Sequence, residues 1–367
     1  MEKKLKVANI GMQFGRAHIE GALACDAEIA ALCDLDPEAL KFAGEKYNVP
    51  EDRWFTDYHE LLDSDIDAVT VAVPDQLHKQ ISVDFLKAGK HVLCEKPLAL
   101  TREGILKIKE TAKKLGLRVG CAPDSFMSAP AQSAKKALED DWIGKPVGFN
   151  AICPLRGNEF HRPDADFFYK KGAGPMFDMA PYYLNIFVSL FGAIDSVMAM
   201  GKISFDERTI KAAPRRGEKI EVEVPTFVCS TLRFENGVMG TFTNSFDIWS
   251  SKTPYIEIYG EKGTMVMPDP NRYQGEVLIK RFKDSEWRAV PQFVEYEKYG
   301  RGIGIVDMIR AIESGTSHKT SIDMAYHTTD VILSMEEAIE KHCEVRVNST
   351  VSKPDGLWMT PETILWK

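Results

Sequence analysis

The chain has 367 residues, a net charge of −8 and 44% apolar side chains, a length that suits two domains better than one core. The mild negative charge argues against nucleic acid as the main partner, and no apolar run reaches the length of a membrane span. Seven cysteines without a Cys-x-x-Cys pair favour reduced thiols over disulfides or a zinc site, so no metal is expected; with charged first residues leading straight into a strand, this gives the expectation of a cytoplasmic protein.

A strand is expected over 5–10, a helix over about 15–25, and a second strand over 28–33 ending at Asp34. A strand, tight turn, helix, strand and acid in this order place a pyrophosphate on a helix N-terminus and a carboxylate on the adenosine ribose. The glycine fingerprint is incomplete. Gly11 fits the first position, Gln13 stands at the second, and Gly15, after Phe14, comes one residue early for the third. Alone, this stretch fits a plain turn equally well. Asp34 lies 23 residues past Gly11, near the roughly 20 expected, and a carboxylate there opposes a 2′-phosphate, favouring NAD over NADP. The other reading of Asp34 is a helix cap, for which Asp36 before Pro37 is better suited.

The alternation continues with a helix over 37–47, a strand over 54–55, a helical turn over 58–62 and a buried strand over 67–73. Pro74 ends that strand, and Asp75 caps a helix running to about residue 88. His78, one turn in, is either a ligand group or a packing histidine. The strand 91–94 then stops at Pro97, which cannot donate a ladder hydrogen bond. Glu95 and Lys96 are left at the carboxyl end of a strand, where open α/β sheets bind ligands. A lysine there is a proton donor; the plainer reading is a surface ion pair. A helix over 102–115 and a strand over 118–122 complete a parallel sheet covered on both faces.

The pattern then changes. A helix over 127–138 precedes strands over 146–153, 196–205, 219–224, 226–234, 238–246, 255–259 and 276–282, with a hairpin turn at Asn236-Gly237. One face of this long, mostly antiparallel sheet should cover helices. The other implies a subunit interface, hence a homodimer or homotetramer. Between the strands, a loop from His161 to Tyr169 and a glycine-rich turn lead into a helix opening at about Phe177. Asp178, Tyr182 and Asn185 fall at i, i+4 and i+7, on one helical face. The plainer reading is that Asp178 serves the helix N-terminus and the tyrosine packs.

A Rossmann unit, then a Val-x-Pro-(Asn/Asp)-x-x-His type of motif over Val73-Pro74-Asp75-Gln76-Leu77-His78, then Glu95-Lys96-Pro97, resembles the Gfo/Idh/MocA family of glucose–fructose oxidoreductase, inositol dehydrogenase and their relatives. The resemblance covers the whole chain. It implies an α/β protein with an N-terminal Rossmann domain over 1–124 and a C-terminal α+β domain over 125–367 with a large open sheet. In the family, Asp-x-x-x-His-x-x-Asp occupies the helix and faces the nicotinamide together with the Glu-Lys-Pro lysine. This sequence keeps Asp178 but has Tyr182 and Asn185 in place of the histidine and second acid. It is similar to a subgroup with Asp-Met-(Gly/Ala)-Pro-Tyr-Tyr here. The resemblance therefore implies Lys96, Asp178 and Tyr182 as catalytic residues. It implies Gly11, Gln13, Phe14, Gly15, Asp34, Val73, Pro74, Asp75, His78, Glu95 and Lys96 as NAD contacts. Arg156, His161, Asn185 and His327 join Lys96, Asp178 and Tyr182 as substrate contacts, with a packed helix histidine the equal alternative for His327. The implied reaction is hydride transfer between a secondary ring hydroxyl of a sugar, glycoside or cyclitol and NAD. Two alternatives stay open: a glycosidase or lyase that oxidises its substrate transiently, and a non-catalytic NAD- or sugar-binding regulator.

Overall fold

The computed structural model describes residues 4–293 and 300–357. These fall into two compact units, one of 4–128, 300–329 and 357, the other of 129–293 and 330–356.

In the first unit, short apolar strands alternate with amphipathic helices. They are β1 (Lys6–Ile10), α1 (Met12–Ala24), β2 (Glu28–Cys33), α2 (Pro37–Tyr47), β3 (Trp54–Phe55), β4 (Ala68–Val71), α3 (Asp75–Lys87), β5 (His91–Cys94), α4 (Arg102–Leu115) and β6 (Val119–Cys121). The six strands pair in parallel in the order β3-β2-β1-β4-β5-β6. All four residues of β4 are buried, as a strand covered on both faces requires. Val7, Ile19, Leu40 and Ile309 pack on one face, and Val69, Ile81, Phe85 and Ile108 on the other. The strand order reverses between β1 and β4. A crevice forms at such a reversal outside the carboxyl ends of the strands.

The second unit opens with α5 (Ala129–Glu139) and β7 (Pro146–Pro154). Then come α6 (Gly174–Asp178), α7 (Ala180–Phe191), β8 (Ile194–Lys202) and a two-stranded ribbon, β9 (Glu207–Thr209) with β10 (Lys219–Glu221). β11 (Phe227–Phe234), β12 (Met239–Ser245), β13 (Ile256–Gly260), β14 (Gly263–Met267), β15 (Leu278–Arg281) and β16 (Arg288–Ala289) follow. Late in the chain come α8 (Ile303–Ser314), then α9 (Ile322–Lys341), which passes from the first unit into the second at 329–330, and β17 (Val345–Arg346). The large sheet runs β16-β15-β14-β13-β7-β12-β11-β8-β17, antiparallel at every step except β12 with β7. Every residue of α7 is buried. Phe187 and Phe191 stack on Phe149 of β7 at 4.6 and 5.6 Å between ring centroids. The alternate positions of the sheet look outward, with Met198, Met200 and Met239 each more than half exposed.

Most expected elements form. The strand expected over 196–205 ends at Lys202, and the two-residue strands β16 and β17 were too short to show a period. α8 belongs to the first unit, although it comes late in the chain. Its approach to α1 depends on paired glycines: a Cβ on Gly21 would lie 2.3 Å from the Gly302 carbonyl oxygen. Among the described residues, no helix is long and apolar enough to cross a membrane.

Candidate active site

A cavity of about 920 Å³ opens at the reversal point between β1 and β4, lined by Gly11, Met12, Gln13, Asp34, Val73 and Pro74 among others. Gly11 leaves β1 with φ +87°, and a Cβ there would lie 2.1 Å from the Ala72 carbonyl oxygen. Only glycine fits both constraints. The helix α1 starts at Met12, three residues before the expected start, so Gln13, Phe14 and Gly15 form its first turn rather than a loop. The shortened turn brings the helix directly off the strand. Gly15 then does what the third fingerprint glycine does: a Cβ there would sit 2.4 Å from Asn9 Nδ2, so its absence lets helix and strand pack closely.

Asp34 does not serve as the cap of α2; Asp36 does, accepting from the Glu38 amide. Asp34 Oδ2 accepts from the Met12 amide at 2.6 Å and Oδ1 from the Asp36 amide at 3.0 Å. The carboxylate is thereby fixed on the cavity wall beside the start of α1. Leu35, Phe42 and Leu77, all substantially exposed, give the same cavity apolar walls. A glycine-only approach, a helix N-terminus, a fixed carboxylate and apolar walls fit a dinucleotide.

Of the other expected cofactor contacts, Val73 and Pro74 share this lining, and Phe14, Gly15, Asp75, His78, Glu95 and Lys96 are not part of it. Pro74 holds the N-cap position of α3 and Asp75 is its first residue, a correction to the expected cap. Phe14 is half exposed on α1. His78 is fully buried, with Nδ1 2.7 Å from the Pro97 carbonyl and Nε2 2.8 Å from the Val73 carbonyl. His78 thereby lies between two carbonyls and bolts the end of β4 to the Glu95-Lys96-Pro97 stretch.

Lys96 leaves the carboxyl end of β5, and Glu95 behind it is anchored from below. His18 on α1, 2% exposed, places Nε2 3.0 Å from Glu95 Oε1. Burial pushes the Glu95 carboxyl up, but the His18 hydrogen bond and charge, with Lys96 and Arg301, outweigh it and hold it at about 2. Burial likewise pushes His18 down, while Glu95 and then Asp124 raise it, and the net is upward. Asp124 is itself buried and accepts from the Gly304 amide at 2.6 Å. Nothing local marks this buried pair beyond a histidine seven residues after Gly11.

In the second unit, the expected single helix is two. α6 ends at Asp178, Met179 links, and α7 begins at Ala180. Pro181 is the cause: it has no N–H to give the Phe177 carbonyl, and its ring crowds that turn. The division falls at Met179 alone, whose backbone stays helical (φ −113°, ψ −30°), so Asp178 closes α6 while Tyr182 and Asn185 lie on α7. Asp178 Oδ2 accepts from Asn158 Nδ2 at 3.3 Å, while Tyr182 and Asn185 are buried. Arg156 lies against the rings of Trp249 and Phe160, 3.1 and 3.9 Å from their centroids, in the corner that this edge-to-face pair makes. His161 is exposed in the loop after a short 3-10 helix, and His327 is wholly buried on α9.

Sequence reasoning missed the charged core of this unit. Arg208, 5% exposed, is ion-paired to Glu159 at 3.3 Å and more closely to Asp247. The Tyr169 hydroxyl also donates to Glu159, and Thr226 to Asp247 at 2.8 Å. These residues are far apart in sequence and belong to no motif, so only the fold brings them together.

A Rossmann sheet with a cleft shaped for a dinucleotide, in one chain with a large mixed sheet, is the frame of a nucleotide-binding protein. Two profiles narrow the class: an oxidoreductase family with an NAD-binding Rossmann fold matches residues 5–122, and the same family's C-terminal domain matches 131–266. Together they span more than half of the chain, which belongs to the Gfo/Idh/MocA family. It is 26% identical over 314 residues to myo-inositol 2-dehydrogenase of Thermotoga maritima, covering 81% of this chain and 89% of the relative. It is 26% identical over 264 residues to levoglucosan dehydrogenase of Pseudarthrobacter phenanthrenivorans, covering 68% and 67%. Among solved structures, a levoglucosan dehydrogenase in complex with NADH and L-sorbose superposes with a TM-score of 0.81 at 23% identity, over 94% of this chain and 99% of that one. At that identity the superposition establishes the fold.

Proposed function

We propose that the protein is an NAD-dependent dehydrogenase that transfers a hydride between a secondary ring hydroxyl of a sugar, glycoside or cyclitol and nicotinamide. The observation that carries this reading is the dinucleotide-fitting cleft with Lys96 two strands' width along the same carboxyl edge, at the end of β5. Relatives named inositol and levoglucosan dehydrogenases support the substrate class. Residues 1–124 bind the dinucleotide, and 125–367 supply the substrate wall and the oligomer contact. The motif Asp178-Met179-Ala180-Pro181-Tyr182-Tyr183 marks a subgroup in which tyrosine replaces the usual histidine.

Bound NAD supplies the hydride acceptor. Gly11, the first turn of α1 and Asp34 hold it. Lys96 hydrogen-bonds the reacting oxygen and stabilises negative charge developing there. Tyr182 or Asp178 relays the hydroxyl proton. Arg156, His161 and Asn185 bind the substrate's remaining polar groups. The protein works in the cytoplasm as a homodimer or homotetramer formed through the open sheet face, whose exposed Met198, Met200 and Met239 favour burial. The test is a panel of sugars, glycosides and inositols added with NAD, followed by the near-ultraviolet absorbance of NADH. Reduction with one substrate class supports the reading; no reduction across the panel sinks it.

A further inference from the structure

Arg156 is held by rings rather than by polar partners. Its guanidinium carbon lies 3.1 Å from the Trp249 ring centroid and 3.9 Å from that of Phe160, two rings set edge to face. Its Nε is buried and has no hydrogen-bond partner among the described residues. The nearby carboxylates are already taken. Arg208 pairs with both Glu159 and Asp247, and the Tyr169 and Thr226 hydroxyls complete them. Burial lowers the Arg156 pKa, Glu159 opposes, Arg208 adds, and the net is downward, as for a cation short of counter-charge.

The stack also fixes direction. The closer ring, Trp249, covers one face of the guanidinium and leaves its edge, a planar fork of N–H donors, for a planar or tetrahedral oxyanion. Trp249 is 73% exposed, so the stack can be reached from solvent. The loop that carries Arg156 is firmly placed. Gly157 has φ +111°, and a Cβ there would lie 2.4 Å from Glu159 Oε2. One residue further, Asn158 donates to Asp178 at 3.3 Å, which ties the arginine's loop to the proposed catalytic carboxylate.

We propose that the substrate is an anionic sugar, bearing a carboxylate or phosphate that Arg156 receives on its free edge beside Phe160 and Trp249. This rests on the dehydrogenase reading for the word substrate, and its test is arranged to separate the two. Dissociation constants are measured by calorimetry on the full chain with saturating NADH. The ligands are glucose, galactose, glucuronate, galacturonate and the two hexose 6-phosphates, each at low and high salt. An acid should bind about 10- to 100-fold tighter than its neutral counterpart, the range that charge-assisted hydrogen bonds give. Salt should shrink that advantage. Whether uronate or phosphate shows it names the anion. Arg156→Gln should bring the acid-to-neutral ratio near one, and Arg156→Lys, a point charge without the fork, should restore part of it.

Equal binding of acids and neutral sugars by the wild type overturns the proposal, as does an Arg156→Gln variant whose ratio is unchanged. Should Arg156→Gln not fold, the salt dependence and Arg156→Lys still decide. Parallel NAD-reduction assays distinguish the failures. Arg156-dependent acid binding without NADH formation keeps the anion site and removes the dehydrogenase. Turnover of neutral sugars with no acid preference does the reverse.

Discussion

His18→Leu removes the group that holds Glu95 ionised beneath the start of the Lys96 stretch. The effect can be sized from the structure. The Glu95 carboxyl is held at about 2 against an ordinary 4.5, and Glu95 is only one-fifth exposed. At 1.36 kcal/mol per unit, that depression corresponds to about 3 kcal/mol, of which Lys96 and Arg301 retain a part in the variant, leaving roughly 2 kcal/mol to His18. For a unit of this size the first thermal transition should fall by roughly 4–8 °C.

The pH dependence identifies the cause. A depressed carboxyl contributes stability that is present above its unfolded pKa of 4.5 and is lost as pH falls through about 2. A raised histidine contributes stability that is present below its unfolded value of 6.5 and is lost as pH rises through its folded value. The difference between wild type and variant should therefore be largest between pH 4.5 and 6.5 and shrink on both sides. Thermal denaturation followed by fluorescence at a series of pH values, in low salt, measures it. A difference that stays constant from pH 8 to about pH 3 would mean that His18 acts by packing alone, and the ion-pair argument fails.

Other perturbations bear on separate parts of the site. Gly11→Ala puts a Cβ against the Ala72 carbonyl at a backbone φ of +87°, so NADH affinity measured by fluorescence should fall at least about 10-fold; unchanged affinity would remove Gly11 from the cleft. Asp34→Ser should narrow the preference for NAD over NADP by loss of the repelling carboxylate, and a wild type that binds NADP as tightly as NAD contradicts the role of Asp34. Arg208→Met leaves Glu159 and Asp247 buried without their counter-charge and should cost about 3–5 kcal/mol in denaturant unfolding of the second unit. A loss under about 1 kcal/mol would show that water or rearrangement compensates.

What the sequence showed and what it hid follow from the range of the forces involved. The parallel sheet was legible because strands buried on both faces are runs of apolar residues, as in 68–71, and helices between them keep a 3.6 period. The start of α1 was misplaced because a turn shortened by a residue changes no local preference; only the contacts of Gly11 and Gly15 with Ala72 and Asn9 reveal it. The division of the helix into α6 and α7 at Met179 is legible in Pro181, which cannot bond the carbonyl four residues back. The His18–Glu95 pair and the Glu159–Arg208–Asp247 core were not legible, because the partners lie tens of residues apart and each is an ordinary charged side chain until the fold desolvates it. The return of α8 to the first unit is likewise a packing event, carried by Gly21 and Gly302.

The central claim is that Lys96 handles the oxygen from which the hydride departs. Turnover of Lys96→Ala with saturating NAD and the sugar that the wild type oxidises fastest, measured beside its NADH dissociation constant, tests this most directly. Loss of the charge and donor together should lower turnover by about 10²–10⁴-fold while NADH affinity stays within about 2-fold, because the cleft lined by Gly11 and Asp34, proposed to take the dinucleotide, does not include Lys96. Near-full turnover in Lys96→Ala would contradict the account and leave the Glu95-Lys96-Pro97 stretch a structural corner.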